Sequence, residues 1–579
     1  MAQALLGALV GAALCLPTPS VQAQAAPVAV ETPRSFDVPA GTLDQALSRL
    51  GRQAGAQIAV NAELTAGLTS PGVSGSYTVT DALQRLLAGT GLEAVRDAGG
   101  EYTLRKAAPG AAREAGPPQA QNREAVLPPV VVQGRADLAT EGTGSYTTRS
   151  SSAATGLNLS LRETPQSVSV MTRERLDDQN LTTLTGTLEQ VTGLALDGSG
   201  GGGGATTMQT VHSRGFQLDN VVYDGLPIPI GLFGNNAWDG WASVSMDPVD
   251  SVTVVRGSTG LMTGNGQPGG TIALTRKRPT ESLQGSVAMT LGRWNERRIV
   301  ADVGGPLNQA GTLRGRMVAS YDEGNSWLQR FANHGDTVYG VLEADLGKKT
   351  QLALAYQQGR RTSTGIAAGA GFATTDTDGR PTPFGRSDNA NAAWSRRESR
   401  YQNLLASLDH RFNADWSAKV RYLIGSGDID RKYAMANRQP SADGSYEVYA
   451  RSNKDGPDTR AFSFSLDGRY RLWGQESQLT VGMNGYSFDF RASHDLEDYS
   501  TMPGPITAWD GRFPEPDWST IKDADTYDAK VRQYGLFINN RLKINEPLSL
   551  ITGLRLSNWR SHAISRQTRQ VNNREESNI

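Results

Sequence analysis

Residues 247–279 read DPVDSVTVVRGSTGLMTGNGQPGGTIALTRKRP. The glycines at positions 264, 266 and 269 have the spacing of a dinucleotide-binding fingerprint, which requires a helix directly after the last glycine. Here Pro268 lies inside the motif, and Thr271–Thr275 has the composition of a strand. The stretch therefore predicts a tight turn between two strands rather than a phosphate-binding loop.

The same stretch resembles the end of the plug domain in TonB-dependent outer-membrane siderophore receptors. The resemblance implies an internal α/β plug domain over residues 150–280. Within it, the Gly-rich run 198–204 has the composition of a flexible loop. Four upstream segments are similar to successive motifs of that plug: Pro165–Met171, Leu188–Leu194, His212–Phe216 and Val222–Gly225.

From about residue 284 onward, apolar and polar side chains alternate with a period of two. One apolar and one charged face per strand is typical of a transmembrane β-barrel with lipid outside and water inside, although a soluble sandwich also alternates. The clearest apolar sets are Phe462, Phe464, Leu466, Tyr470 and Leu472; Leu313, Met317, Ala319 and Tyr321; and Tyr534, Leu536, Ile538 and Leu542.

The connections between these strands favour the barrel. Short and long connections follow one another, as they must when periplasmic turns alternate with extracellular loops. A soluble fold has little reason for long loops without structure of their own. The expected short connections are 304–311, 346–349, 412–415, 473–476 and 544–547, and the expected long ones are 322–335, 361–399, 430–458 and 493–529.

The predicted fold is a transmembrane β-barrel of the 22-stranded type with an internal α/β plug domain and a small N-terminal α/β signalling domain. Residues 284–579 hold only about 11 strands of it. An open half-barrel leaves strand edges unpaired in hydrocarbon, where each unsatisfied backbone group costs several kcal/mol. We therefore expect residues 284–579 to be a truncated first half of the barrel, ending within a sixth extracellular loop.

Residues 34–106 predict the small N-terminal domain. Thr42 and Gln45 form a capping-box pattern, and a second helix is expected to begin near Thr78 or Thr80. The segment resembles the secretin and TonB short N-terminal domain, which implies a receptor that also signals to a periplasmic anti-sigma regulator. The expected core residues are Leu43, Ala46, Leu47, Leu50, Ala54, Ala82, Leu83, Leu86 and Leu87, flanked by strands at 58–60, 94–95 and 102–104.

A linker over residues 107–125 separates this domain from an extended segment, 126–134. Two prolines followed by three valines favour a strand, which on its own is usually just a buried one. Its position before the plug resembles a TonB box, which implies strand addition to TonB of the TonB-ExbB-ExbD complex. The predicted box residues are Leu127, Pro128, Pro129, Val130, Val131 and Val132.

The N-terminus predicts export. Residues 1–25 read as a signal peptide with an apolar run from Leu5 to Leu16, although no Lys or Arg precedes that run. The single cysteine, Cys15, leaves with this peptide, so thiol redox and thiolate-metal chemistry are excluded from the mature chain. A net charge of -1 without a basic stripe gives no indication of nucleic-acid binding.

The candidate ligand contacts are an arginine and an aromatic loop. Arg214 and Arg256 each precede a glycine in a plug-like motif. Arg256 better suits an ion pair between plug and barrel. Arg214 suits either such an ion pair or contact with a ferric chelate. Amphipathic rings beside amides in the loop 232–241 suit a chelate with an apolar perimeter, although one tryptophan could instead wedge against the barrel wall. The predicted ligand-binding residues are Arg214, Phe233, Asn235, Asn236, Trp238 and Trp241.

The resemblance implies an outer-membrane receptor that takes up ferric siderophores with energy from TonB, embedded in outer-membrane lipid. No catalytic motif is found, and the five scattered histidines show no metal-ligand spacing. We expect no enzyme activity, no protein metal site and no cofactor, because the siderophore holds the iron. Two alternatives stay open: a truncated regulatory or interaction protein, and a receptor for haem, cobalamin or a saccharide.

Overall fold

The computed structural model describes residues 34–39, 41–54, 58–59, 65, 68–88, 90, 92–96, 102–106, 139–198, 209–229, 244–365, 372, 374–437, 445–503, 505–522, 526–565 and 568–578. The described residues belong to two compact units, an N-terminal unit up to residue 130 and a unit from residue 131 onward. Within the described part of the chain, no helix combines the length and the apolar character needed to cross a membrane.

The N-terminal unit is a small α/β domain. Its helices are α1 (Leu43–Ala54) and α2 (Val79–Leu86), and Thr78 caps α2 by accepting a hydrogen bond from the Asp81 backbone N–H. Its strands are β1 (Arg34–Val38), β2 (Gly41–Thr42), β3 (Ile58–Ala59), β4 (Thr69–Ser70), β5 (Val73–Tyr77), β6 (Leu92–Arg96) and β7 (Tyr102–Lys106).

The core of this domain confirms the helical periodicity. All nine apolar positions expected on the two helices are buried in one cluster. Strands β6 and β7 pair antiparallel, and β3 pairs parallel to β7, at the three places where strands were expected. The antiparallel pair β1–β5 was not predicted, because Val73–Tyr77 contains Gly75 and two serines and lacks an apolar alternation.

In its described residues, the plug region contains two main sheets and three short helices. A five-stranded sheet has the order β10-β16-β17-β14-β15, and a three-stranded sheet has the order β11-β12-β13. Its elements are β8 (Ser150–Ser151), β9 (Leu159–Ser160), β10 (Ser167–Met171), α3 (Arg173–Asp178), α4 (Leu184–Glu189), β11 (Ala195–Gly198), β12 (Gln209–Ser213), β13 (Phe216–Gln217), β14 (Asn220–Tyr223), β15 (Leu226–Pro229), β16 (Val249–Arg256), α5 (Gly260–Thr263) and β17 (Gly270–Arg276).

The glycine-rich stretch at 264–269 is a turn, as predicted. It joins α5 to β17, and a strand rather than a helix follows it. Gly264 has a φ of 85°, and a Cβ on Gly269 would lie 2.6 Å from the carbonyl oxygen of Gln217. The glycines therefore permit a left-handed backbone and a close approach of two chain segments.

The remaining strands form one antiparallel sheet of twelve, each paired with its neighbours in chain order. They are β18 (Gln284–Leu291), β19 (Arg297–Pro306), β20 (Leu313–Asn325), β21 (Ala332–Asp345), β22 (Thr350–Thr364), β23 (Arg396–Arg411), β24 (Trp416–Asn437), β25 (Tyr446–Leu472), β26 (Gln475–Met502), β27 (Tyr527–Lys543), β28 (Ser549–Ser565) and β29 (Val571–Asn578).

This sheet has one strand more than the expected 11. The extra strand, β29, was taken for loop because its sequence, VNNREESN, has one apolar residue and no alternation. It pairs with β28 through the backbone, with contacts such as the 2.8 Å ion pair between Arg560 and Glu575 on the same face. Backbone pairing to an existing edge does not need an apolar face.

One face of the sheet carries a continuous apolar band. In register across neighbouring strands, Tyr356 lies opposite Leu404, Leu404 opposite Ile424, and Met483 opposite Leu536. All five of these side chains are exposed. The band continues through Leu352, Leu354, Leu408, Val420, Tyr422, Phe464, Val481, Tyr534, Ile538, Leu554 and Leu556.

The opposite face of the sheet packs against the plug. Its inward residues Val318, Tyr339, Leu405, Leu423 and Ala461 join the same buried cluster as the plug's own core. The period-two pattern thus separates an exposed apolar face from a plug-facing one. The plug therefore shares an apolar core with the plug-facing side of the twelve-stranded sheet, which we call the wall.

The short connections are as expected, and the expected long loops are shorter than predicted. Strands β24, β25 and β26 extend to 22, 27 and 28 residues, so the loop expected at 430–458 shrinks to 438–445. The loops expected at 361–399 and 493–529 shrink to 365–395 and 503–526. The strand tips were missed because they contain many charged residues, which were taken for loop; in the structure, backbone pairing and ion pairs such as Arg431–Asp455 join the tips.

We expect Leu83→Ala to destabilise the N-terminal domain by about 2–5 kcal/mol, because Leu83 is fully buried and its truncation leaves a cavity. Amide hydrogen exchange in α1 and α2 of the whole chain measures this local stability. The matched control is Gln84→Ala on the exposed face of α2, which should leave exchange unchanged. Equal exchange in both variants would contradict the packing described here.

Candidate functional site

The plug is joined to the sheet by ion pairs at the end of β17. Lys277 Nζ lies 2.9 Å from Asp302 of β19, and Arg278 Nε lies 2.6 Å from Glu343 of β21. At the start of β16, Asp247 pairs with Arg298 of β19. These side chains are largely buried, apart from Arg278, so each pair replaces water with a fixed partner.

Arg276 is a charged side chain that is almost completely buried. Its Nε donates to Asp224 at 2.6 Å, and its guanidinium lies 4.7 Å from the ring centre of Tyr223 and 5.4 Å from that of Tyr339. Burial alone would lower the pKa of Arg276, but the Asp224 carboxylate outweighs burial and holds that pKa above its usual value. Arg276 therefore stays charged and ties β17 to β14 inside the plug while touching the wall at Tyr339.

A second charged cluster binds residues 140–141, which we call the entry segment, just before the plug domain. The backbone N–H of Thr140 donates to Asp250 Oδ2 at 2.9 Å, and that of Glu141 donates to Asp250 Oδ1 at 2.7 Å. Thr140 Oγ1 also lies 3.1 Å from the Asp250 carbonyl oxygen. Asp250 is 2% exposed and forms no ion pair among the described residues. Burial raises the pKa of Asp250, and the two N–H donors offset this only in part.

The Glu141 side chain extends the cluster to the wall. Its carboxylate accepts two hydrogen bonds from Arg316 of β20, at 2.5 and 2.7 Å. Arg316 also donates to Asp302, which in turn binds Lys277. Paired, parallel guanidinium–carboxylate bonds are among the stronger polar contacts in proteins. The entry segment, the plug and the wall therefore meet in one network.

Further along the chain, residues 155 and 163 also contact the wall. Asn539 of β27 donates to the Thr155 carbonyl oxygen at 2.6 Å, and Arg541 of β27 pairs with Glu163. A cavity of about 590 Å³ lies between the plug sheet and the inner wall. The cavity is lined in part by the chain between residues 139 and 156, including Thr148, Ser151 and Gly156.

Tyrosines and charged groups line the plug-facing side of the strand tips. The side chains of Tyr449 and Arg451 lie on the same side of β25 as that of Ala461, which packs against the plug. Arg451 Nε donates to Asp495 at 2.6 Å, and Tyr449 OH donates to Glu497 at 2.8 Å. The Tyr449 ring lies 6.0 Å from Tyr433 and 4.9 Å from Tyr499, centre to centre. We call Tyr433, Tyr449, Arg451 and Tyr499 the tyrosine patch.

Sequence reasoning missed the tyrosine patch, because its residues were assigned to loops. The available signal was the alternation of Tyr449 and Arg451 with the small apolar residues Val448 and Ala450, which are buried on the other side of the strand. Trp394, in the long connection before β23, packs in a cluster with Trp518 and donates its Nε1–H to the Phe513 carbonyl oxygen at 2.8 Å.

The structure describes one of the six predicted ligand contacts. Arg214 is exposed in the turn between β12 and β13, with a φ of 53°. Arg256 donates to Ser167, Ser169 and the Thr192 carbonyl oxygen, all within the plug. Its expected ion pair with the barrel wall is absent from the described residues. Burial lowers the pKa of Arg256, and the neighbouring charge of Arg214 lowers it further.

The other predicted contacts stay predictions. Phe233, Asn235, Asn236, Trp238 and Trp241 lie outside the described residues, as do the linker 107–125 and the box 126–134. Among the described residues, no group of three or more His, Cys, Asp or Glu side chains could hold a metal ion.

Three family models match this chain in sequence order. The Secretin and TonB N terminus short domain matches residues 56–107, the TonB-dependent Receptor Plug Domain residues 160–271, and the TonB dependent receptor-like beta-barrel residues 345–578. These matches fall on the small α/β domain, the plug sheets and the twelve-stranded sheet.

Curated relatives and solved structures agree. A ferric-pyoverdine BN7/BN8 receptor of Pseudomonas putida is 33% identical over 92% of this chain and 64% of its own length. The ferripyoverdine receptor of Pseudomonas aeruginosa is 29% identical over 91% and 62%. Its crystal structure with ferripyoverdine superposes with a TM-score of 0.67 at 28% identity, covering 94% of this chain and 67% of that one.

The chain spans 62 to 64% of the length of the first four curated relatives. The matching plug, short N-terminal domain and barrel models, together with a plug seated against a twelve-stranded sheet, lead to one assignment. The chain contains the short N-terminal, plug and beta-barrel domains that match the TonB-dependent receptor models.

Proposed function

We propose that this protein is an outer-membrane receptor that takes up ferric siderophores of the pyoverdine class with energy from TonB. The observation that carries the proposal is the plug, which is joined to the inner wall by ion pairs. The relatives named for ferric pyoverdine match over more than nine-tenths of the chain. A plug held in this way suits a path that opens only when work is done on it.

The chelate would contact the predicted ligand-binding residues of the loop 232–241 and the tyrosine patch. Tyrosines and an arginine suit a chelate that combines an aromatic group with polar and charged atoms. The iron would remain in its chelate and need no protein ligand or cofactor. Family membership favours a receptor and transporter over an enzyme.

The N-terminal domain would report occupancy to a periplasmic anti-sigma regulator. It has its own buried core, as a module with a separate partner requires. The exposed apolar band on the sheet would face outer-membrane lipid, since such a band costs free energy in water and none in hydrocarbon. The box 126–134 would add a strand to TonB, itself driven by ExbB and ExbD.

Deleting Leu127–Gly134 should abolish uptake of ⁵⁵Fe-loaded pyoverdine by cells and leave its binding to purified receptor unchanged, because the box contacts TonB and not the chelate. Uptake and equilibrium binding are measured on the same variant. The control is an equally long deletion in the linker, residues 110–117. Normal uptake after the box deletion would disprove the assignment of the box.

Replacing both Trp238 and Trp241 by Ala should weaken ferric-pyoverdine binding about tenfold or more, as expected for aromatic anchors of a binding site. Quenching of the chelate's fluorescence on binding gives the affinity. Trp473→Ala is the matched control, since Trp473 is exposed in the short β25–β26 turn at the other end of the strands. Equal affinity in the double variant and the control would remove the loop from the site.

Replacing Tyr449 by Ala tests the tyrosine patch separately. Binding should weaken because the variant removes a ring that contacts Tyr433 edge-on and Tyr499 at a tilt. Tyr422→Ala on the apolar band is the control, because Tyr422 lies on the opposite side of the sheet. An unchanged affinity for Tyr449→Ala would show that the chelate does not contact the tyrosine patch.

A further inference from the structure

On strands β25 to β27, the apolar band ends toward the long connections at a pair of aromatic rings. Phe462 and Tyr534 lie in one register row, on either side of Gly485 of β26, and their ring centres are 6.3 Å apart. A Cβ on Gly485 would lie 2.9 Å from the Tyr534 ring, so this ring covers the glycine. We call Phe462, Gly485 and Tyr534 the aromatic surface.

Two arginines follow the aromatic surface on the same face of the sheet. Two residues further toward the long connections, Arg460 of β25 and Arg532 of β27 share a register row with Ser487 of β26, which lies between them. Both arginines are exposed. Neighbouring strands are about 4.8 Å apart, so both guanidinium groups can reach the space over Ser487. We call Arg460, Ser487 and Arg532 the arginine cradle.

The arginines of the cradle have no counter-charge. Among the described residues, neither of them has a hydrogen-bond or ion-pair partner. The two carboxylates that lie one step further along β25 and β26 are already bound by other cations. Asp458 pairs with Arg491 at 2.7 Å, and Asp489 pairs with Lys530 at 2.8 Å. The positive charge of the cradle is therefore available to an anion from outside the chain.

A third arginine increases this charge. Arg532 lies directly opposite Arg560 of β28, and like charges in opposite positions destabilise a sheet. Glu575 of β29 pairs with Arg560 at 2.8 Å, so this carboxylate serves only the outer member of the row. An anion over the cradle would offset the repulsion that remains.

The neighbouring strands lack such a cradle. On β22 to β24, the register row next to the apolar band consists of Gln358, Gln402 and Ser426. Arginines occur one step further out on β22 and β23, but Arg360 and Arg400 are both bound to Glu398. Unpaired arginines next to the band therefore distinguish β25 and β27 from these strands.

The position and shape of the cradle select the kind of anion. Planar guanidinium groups bind phosphate through paired hydrogen bonds, and a phosphate has enough oxygens for both arginines and the Ser487 hydroxyl. A cavity of about 400 Å³ beside Arg460 leaves room for the rest of a head group. In a transmembrane barrel, an aromatic row marks the boundary between hydrocarbon and water. A phosphate over the cradle would thus lie at head-group depth, with acyl chains along the aromatic surface.

We propose that the arginine cradle binds the phosphate of an anionic membrane lipid in the leaflet on the side of the long connections. The inference rests on the proposed function, in which the apolar band faces outer-membrane lipid. The lipid phosphate supplies the missing counter-charge, and its acyl chains cover Phe462 and Tyr534. A free phosphate ion would contact the cradle but not the aromatic surface.

The test is native mass spectrometry of the receptor, purified from outer membranes and freed of lipid in detergent. The protein is titrated with dioleoyl phosphatidate or with dioleoyl phosphatidylcholine, which differ only in the head group. The first phosphatidate should bind about tenfold more tightly than the first phosphatidylcholine, because only its head group carries a net negative charge. Replacing both Arg460 and Arg532 by Gln should remove this preference, and the exposure of both side chains keeps the fold intact.

The matched control replaces both Arg360 and Arg400 by Gln, which removes the same charge from the same face and should leave the preference unchanged. Equal losses in the two double variants would show a general attraction to positive charge and overturn the proposal. Absence of any preference in the unaltered protein would do the same. A millimolar excess of inorganic phosphate should not displace phosphatidate; displacement would show a site for free phosphate rather than for lipid.

Insertion into phosphatidylcholine vesicles separates this proposal from the function on which it rests. A receptor that inserts but shows no preference for phosphatidate lacks the lipid site, while its place in the membrane stands. A receptor that does not insert contradicts both the membrane assignment and the lipid site. Neither measurement needs the chelate or TonB.

Discussion

The strands in the middle of the twelve-stranded sheet place successive side chains in two different environments, and the rest of the structure depends on this alternation. Tyr534, Leu536 and Ile538 of β27 are exposed on the apolar band, while Gln533 and Asn539 of the same strand donate hydrogen bonds to the plug. A register shift of one residue would bring apolar side chains against the plug and amides into the band. One register of strand pairing thus sets both which side chains meet the plug and which form the apolar band.

The inward face differs from an ordinary protein core. Part of it is apolar and continuous with the plug core through Leu405, Leu423 and Ala461. Another part consists of charged groups, among them Asp302, Arg316 and Glu343, that bind plug residues. Apolar contacts and buried ion pairs therefore hold the plug against the same face of the sheet.

Much of this architecture could be predicted from sequence where one physical signal acted alone. Helical periodicity was sufficient for Leu43–Ala54, and alternation was sufficient for β20, β25 and β27. Prediction failed where backbone pairing acted without a side-chain signal, as in β5 and β29, and where charged residues concealed the alternation, as in the tips of β24–β26. At the candidate site, the arginines of the plug motifs were visible, but their partners were not. Arg256 binds serines 87 and 89 residues away, and Arg316 binds Glu141 across 175 residues, which no local pattern reveals.

The plug carboxylates Asp224 and Asp250 show how the partner of an acid decides the strength of a joint. Asp224 is partly exposed and pairs with Arg276, whose guanidinium also lies over two tyrosine rings. Separating this pair would leave the buried Arg276 without its counter-charge, which costs far more than the loss of an exposed pair. Asp250 is more deeply buried, but it holds only backbone N–H groups and a hydroxyl of residues 140–141, next to a cavity with a polar lining. The more exposed acid thus belongs to the stronger joint, because its partner is a buried cation.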